Sequence, residues 1–215
     1  MAMRLPFKRG RTFPLLAVSL GLVVVGAAAQ PASAGLGLAC PNPTSQAFAR
    51  WNDRAEYAYA PNGGFENGTG GWKFSGGAKV VAGNETFFIH GAGERSSLSL
   101  PAGSSATSPA MCVSLFSTKM RFFARNPGSP SARLRVQVLY NGGVGGLLSI
   151  LTKTLGLSDV GYVTAGAGWQ PSPAIGMLSG TLPLLTQSVQ FRFTPADKNG
   201  KWQIDDVYLD PFRNR

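Results

Sequence analysis

Arg133-Leu134-Arg135-Val136-Gln137-Val138-Leu139-Tyr140 alternates: Leu134, Val136, Val138 and Tyr140 fall on one side, Arg133, Arg135 and Gln137 on the other. Side chains of a strand point to opposite faces with a period of two, so this stretch predicts a half-buried strand of an antiparallel sheet. Ser188–Thr194 repeats the pattern, with Val189, Phe191 and Phe193 opposite Ser188, Gln190 and Arg192. In Lys119–Arg125, Met120, Phe122 and Ala124 oppose Lys119, Arg121, Phe123 and Arg125. No long amphipathic helix separates these segments. The pattern predicts an all-β chain, an antiparallel β-sandwich or jelly roll.

Composition agrees. The chain has 215 residues, 44% hydrophobic and only 14% charged, with 28 Gly and 15 Pro, too apolar for disorder and too rich in turn formers for a helical bundle. Of the 20 basic residues, Arg4, Lys8, Arg9 and Arg11 precede an apolar run, leaving 16 against ten acidic, a net +6. That charge permits contact with acidic polymers and falls short of a nucleic-acid-binding surface.

The apolar run, Leu15 to Ala29, is 15 residues long and broken only by Ser19. With its basic flank and the small residues Ala32-Ser33-Ala34, it predicts a secretory signal peptide over 1–34, since a membrane span needs about 20 apolar residues. Downstream, residues 35–60 form an N-terminal segment and 61–215 a single sandwich domain. Cys40 and Cys112 are the two cysteines. In an oxidising compartment such a pair is expected to bond, closing a loop that the chain-entropy model credits with roughly 4 kcal/mol and stapling the N-terminal segment to the sandwich.

Elsewhere the reading is coarser. Phe48, Trp51 and Tyr57 suit either a helical turn or a peripheral strand. Short apolar segments follow at Trp72–Phe74, Ala78–Val81, Phe87–His90 and Ser96–Leu100, and Pro101–Pro109 reads as a loop. Between Val136 and Gln190 the charges are Lys153 and Asp159, and Leu147–Leu157 and Ile175–Leu185 are apolar without clear alternation. Buried strands, a packed loop and a partner-covered patch all suit that region.

Two motifs lie at opposite ends of the domain. One is Asn62-Gly63-Gly64-Phe65-Glu66-Asn67-Gly68 with Gly71-Trp72; the other is Trp202-Gln203-Ile204-Asp205-Asp206-Val207-Tyr208-Leu209-Asp210. In the second, Trp202 and Ile204 share one face while Val207 and Leu209 share the other. Both sets can face a core only if the strand bulges at Asp205-Asp206. Together with Ser96-Ser97-Leu98-Ser99-Leu100 and Trp169-Gln170, these motifs resemble the carbohydrate-binding modules of the galactose-binding-like jelly-roll type. The resemblance covers about residues 60–210. It implies that Glu66 and Asp205 help to hold a structural calcium with backbone carbonyls, an oxygen-rich site suited to a hard cation. A solvated strand end at Asp205-Asp206 and a turn-capping Glu66 are the alternative.

Such modules bind sugars through aromatic faces and a few planar polar groups. Trp72 and Trp202 occupy core-like positions, which leaves Trp169, Phe123 and Tyr162 as candidate platforms. Arg121, Arg125, Arg133, Arg135 and Arg192 lie on the polar sides of their strands. Sharing a sheet, they would form a basic stripe around Phe123 suited to an anionic polysaccharide or envelope polymer; an ordinary solvated face is the alternative. His90 is the sole histidine, and no nucleophile motif or nucleotide loop accompanies it. Asn67-Gly68-Thr69 and Asn84-Glu85-Thr86 are sequons. The expectation is a secreted, non-catalytic module binding carbohydrate or envelope polymer, with a structural or adhesive envelope protein as the alternative.

Overall fold

Strand alternation, as read above, sorts the chain into two antiparallel sheets that share one core. The computed structural model describes residues 42–113, 119–141, 158–177 and 187–210, which lie in one compact unit, Gly35–Arg215. Sheet one holds β1 (Thr44–Ser45), β2 (Tyr57–Tyr59), β4 (Lys79–Ala82), β5 (Ser96–Pro101), β8 (Lys119–Arg125), β11 (Gln170–Pro171), β12 (Ile175–Gly176) and β14 (Lys201–Asp210). Sheet two holds β3 (Lys73–Ser75), β6 (Ser105–Thr107), β7 (Met111–Val113), β9 (Leu134–Asn141), β10 (Ser158–Val163) and β13 (Gln187–Pro195). The architecture is the predicted β-sandwich.

The period-two faces meet between the sheets. Leu134, Val136 and Val138 from β9, Val189, Phe191 and Phe193 from β13, and Met120, Phe122 and Ala124 from β8 are all buried in one core. Trp72 and Trp202 join them, as their positions suggested. So do Trp202, Ile204, Val207 and Leu209 together, which the strand achieves through the expected slip: the β14–β8 register shifts between Asp205 and Tyr208, and Asp206 takes φ 45°. A bulge takes backbone groups out of the ladder. Here the Asn62-Gly63-Gly64 turn recovers them: Ala60 N–H donates to Val207 C=O at 2.9 Å, and Val207 N–H to Gly63 C=O at 3.3 Å. A Cβ on Gly63 would stand 2.8 Å from the Val207 carbonyl oxygen, so glycine is required for the approach.

The N-terminal segment resolves into both of its alternatives, a 3₁₀ turn at Ala49–Trp51 and the strand β2. Together they cover the outer face of sheet one with a second, aromatic core. Phe48 is fully buried there, stacked on Phe123 at 5.4 Å and edge-on to Tyr57 and Tyr208 at 4.9 and 5.5 Å. Arg121 closes the seam: its guanidinium lies 4.4 Å above the Phe48 ring, pairs with Asp53 at 2.8 Å and donates Nε–H to Ser172 C=O. Cys40 lies outside the described residues, as does the side chain of Cys112, so the expected disulfide falls outside them too.

Of the short apolar segments, Phe87–His90 forms no strand, because the buried Glu85 carboxylate accepts the N–H groups of Phe87 and Ile89 that a ladder would need. One local expectation is corrected. Pro101–Pro109 is not all loop, because Ser105–Thr107 pairs with both β3 and β13. Its small side chains, with Ala106 in the core, fit between those neighbours. In the apolar stretch, β10, β11 and β12 are strands, while 142–157 and 178–186 lie outside the described residues.

Phe48 anchors the aromatic core, so Phe48→Ala is expected to destabilise the protein by about 3–5 kcal/mol, the range for a buried aromatic truncated to a cavity. Urea unfolding should show a lowered midpoint at an unchanged slope.

Candidate metal centre and ligand faces

The β14 bulge delivers two adjacent carboxylates into a buried corner already holding two more. Glu85, Asp205 and Asp206 are fully buried and Glu94 nearly so. The residues between β4 and β5 run as an irregular loop organised by these acids. Asp205 Oδ2 accepts the Glu85 N–H at 2.8 Å and its Oδ1 the Asp206 N–H at 2.9 Å. Asp206 Oδ2 accepts the His90 N–H at 3.3 Å, and Glu94 Oε2 the Gly91 N–H at 3.1 Å.

The remaining oxygens converge. Tyr59 OH lies 3.2 Å from Glu94 Oε1 and 3.1 Å from Asp206 Oδ1, and His90 Nδ1 lies 2.6 Å from Glu94 Oε1. The Tyr59 and His90 rings stack at 3.7 Å, only 8° from parallel, which fixes the imidazole plane. Gly64 lines the same spot: a Cβ there would meet Tyr59 OH at 2.5 Å, Glu94 Oε1 at 2.9 Å and Asp206 Oδ1 at 3.1 Å.

Burial sets the electrostatics. Desolvation, then the charge of Asp206, pushes Asp205 up to about 9. Desolvation, then Glu94, pushes Asp206 up to about 7. Glu85 is raised by desolvation as well. Tyr59 is raised by desolvation, with Asp206 and Glu94 adding to it. An arrangement that disfavours its own ionised carboxylates binds either protons or a cation.

The residues singled out in the sequence are distributed as follows. Glu66 Oε1 accepts the N–H groups of Arg95 and Ser96, both at 2.7 Å, at the start of β5. Asp205 spends both oxygens on backbone N–H groups, and the converging donor belongs to the next residue, Asp206. Phe123 is fully buried beneath Phe48 and Trp51, so it offers no platform. Arg121 is buried and engaged at the aromatic core, not displayed. The single stripe divides because its strands do not share a sheet: Arg121 and Arg125 stand on β8 of sheet one, Arg135 and Arg192 on β9 and β13 of sheet two.

Two polar faces result. On sheet one, Arg125 lies 5.1 Å over the Trp169 ring and donates Nε–H to Gln203 Oε1 at 2.7 Å. On sheet two, Arg133 lies 4.9 Å over the Tyr162 ring, which is 51% exposed. Tyr162 pairs across the strands with Arg135, and Arg135 with Thr194. The neighbouring row runs Asp159, Gln137, Arg192, Thr107 and Lys73 across five strands, polar throughout. Tyr59, His90 and Glu94 were not found in the sequence as site residues. Their convergence on Asp206 spans up to 147 positions, and no spacing motif marks it.

No protein-family model matches the chain, and no curated protein matches it. Solved structures do. A carbohydrate-binding module of family 61, in complex with β-1,4-galactotriose, is 20% identical with a TM-score of 0.46, covering 73% of this chain and 98% of that one. The family 22 xylan-binding domain of Paenibacillus barcinonensis Xyn10C is 16% identical with a TM-score of 0.45, over 71% and 93% of the two chains. A cleaved adhesin domain of Lys-gingipain from Porphyromonas gingivalis W83 is 15% identical with a TM-score of 0.44, over 70% and 96%. Each likeness extends to architecture alone.

The raised carboxylates give a pH dependence of definite sign. Their folded pKa values, about 9 and about 7, exceed the unfolded 3.8, so the native state holds protons that the unfolded chain releases. Their contribution is complete below about pH 4 and is lost as pH rises through about 7 and 9. In chelator, the melting temperature should therefore fall between pH 5 and 9, with a shallower fall in an Asp205→Asn, Asp206→Asn variant; calorimetry across that range checks it.

Proposed function

We propose that this is an exported, non-catalytic module that binds an anionic polysaccharide or envelope polymer with the outer face of sheet two. The observation carrying the reading is the Tyr162–Arg133 pair: a half-exposed ring with a guanidinium over it, beside Arg135, with Arg192 two strands away in the neighbouring row. An aromatic face supplies stacking for pyranose C–H groups, and guanidinium forks suit carboxylate or sulfate substituents. Export rests on the leader over 1–34. Among the described residues no helix is long and apolar enough to cross a membrane.

Sheet one offers less for the same task. Its outer face is largely covered by the aromatic core, and Trp169 is partly packed against that core with Arg125 over its ring.

Affinity electrophoresis in gels containing an anionic polysaccharide separates the two faces. Tyr162→Ala is expected to weaken binding about five- to tenfold, the worth of roughly 1 kcal/mol of stacking. Arg133→Ser with Arg135→Ser should weaken it further and flatten its salt dependence, because exposed charges are screened within about 8–10 Å. Trp169→Ala should leave binding unchanged; loss there and not at Tyr162 would move the site to sheet one.

A further inference from the structure

We infer that His90, Glu94 and Asp206, with Tyr59 as a fourth donor, form a site for a divalent first-row transition ion of the zinc class. The resemblance to jelly-roll modules implies instead an oxygen-only calcium site at Glu66 and Asp205. The side chains that converge are different ones. Both Asp205 oxygens accept backbone N–H groups, at 2.8 and 2.9 Å, and Glu66 Oε1 accepts two at 2.7 Å.

What converges includes a nitrogen. One ligand atom each from His90, Glu94 and Asp206 lies within 4.8 Å of the others. Glu94 and Asp206 are each held by one oxygen on a backbone N–H, which turns Oε1 and Oδ1 toward His90 and Tyr59. Such outer contacts are what aim carboxylate ligands at a metal. Tyr59 O–H and His90 Nδ1 offer at most two protons to Glu94 Oε1 and Asp206 Oδ1, whose lone pairs outnumber them. Imidazole with carboxylates suits zinc and its neighbours, whereas calcium takes six to eight oxygens.

Apart from His90, the acids of this corner, Glu85, Glu94, Asp205 and Asp206, have no cationic partner among the described residues; the ion pairs are His90–Glu94, Arg121–Asp53 and Arg133–Asp197. Ser97 is fully buried and its hydroxyl has no partner among the described residues. On β5 it follows Ser96 and precedes Leu98, the residue that pairs with Ile204 of β14.

His90 is the sole histidine of the chain, so its imidazole gives one ¹⁵N spin system in untagged protein. Metal-stripped protein titrated with Zn²⁺ is expected to bind one ion, to melt higher, and to move both imidazole ¹⁵N resonances, because the metal takes Nδ1 from the proton it shares with Glu94 and leaves Nε2 as the protonated nitrogen. His90→Gln should weaken Zn²⁺ binding by more than the roughly 10–100-fold that outer-sphere changes cost. Ca²⁺ raising the melting point with the imidazole unmoved would overturn the assignment, as would equal Zn²⁺ binding by His90→Gln or no response to Zn²⁺. His90 is half exposed at the surface, so its substitution spares the core; the wild-type ¹⁵N readout stands without the variant. Polysaccharide binding enters none of these readouts, and its failure leaves them unchanged.

Discussion

Strand β14 must pair along both edges and still turn two carboxylates into the protein, and most of the structure follows from how it does so. Over Lys201–Ile204 it pairs with β5, over Tyr208–Leu209 with β2, and β8 runs along its other edge. The bulge between these stretches lets Trp202, Ile204, Val207 and Leu209 all reach one core. Each apolar side chain so buried stabilises by about 1.5–3 kcal/mol, which outweighs the ladder bonds lost at one irregular position. Desolvating Asp205 and Asp206 is the cost. The loop before β5 offsets it by supplying N–H groups to the acids, while the Asn62-Gly63-Gly64 turn restores the backbone hydrogen bonds that the bulge takes from Val207.

The aromatic core has a consequence for binding. A sandwich has two outer faces, and here the N-terminal segment covers much of one. Arg121 shows why the cover stays in place: it is ion-paired to Asp53, stacked on Phe48 and hydrogen-bonded to Ser172, joining three separate pieces of chain. Truncating it would leave Asp53 without its cation and Phe48 without a lid. On sheet two Tyr162 stays exposed, while Gln137 and Thr107 in the neighbouring polar row are buried.

What could be read from the sequence divides along physical lines. Leu134, Val136, Val138, Phe191 and Phe193 declared themselves because alternation is a local property and the core needs it. The slip at Asp205-Asp206 was legible for the same reason, since two apolar sets out of phase admit one solution. Strand order is not local. Arg121 and Arg135 look alike in sequence, yet one lies under an aromatic segment and the other on the opposite sheet. Phe87 and Ile89 show another limit: their apolar segment does not say whether it is strand or loop, and Glu85 took their N–H groups. Side-chain capture of backbone donors leaves no periodic trace. Tyr59, His90 and Glu94 were hidden for both reasons, being ordinary residues on separate segments that acquire meaning only beside Asp206.

The strained residue and the charged residue are the same one. Asp206 sits at φ 45°, a conformation aspartate tolerates better than most residues but which still costs of order 1 kcal/mol. A glycine would relieve the backbone and serve the bulge equally well. Retaining a carboxylate there adds desolvation and the repulsion of Asp205 and Glu94. Neither cost assists packing, since the core residues on either side need only the bulge. Conformational strain and buried charge together at one position mark it as held for its oxygens. The Tyr59–His90 stack then reads as the part that keeps a nitrogen aimed at those oxygens, built from two segments that the aromatic core already holds side by side through Tyr59, Phe87 and Ile89.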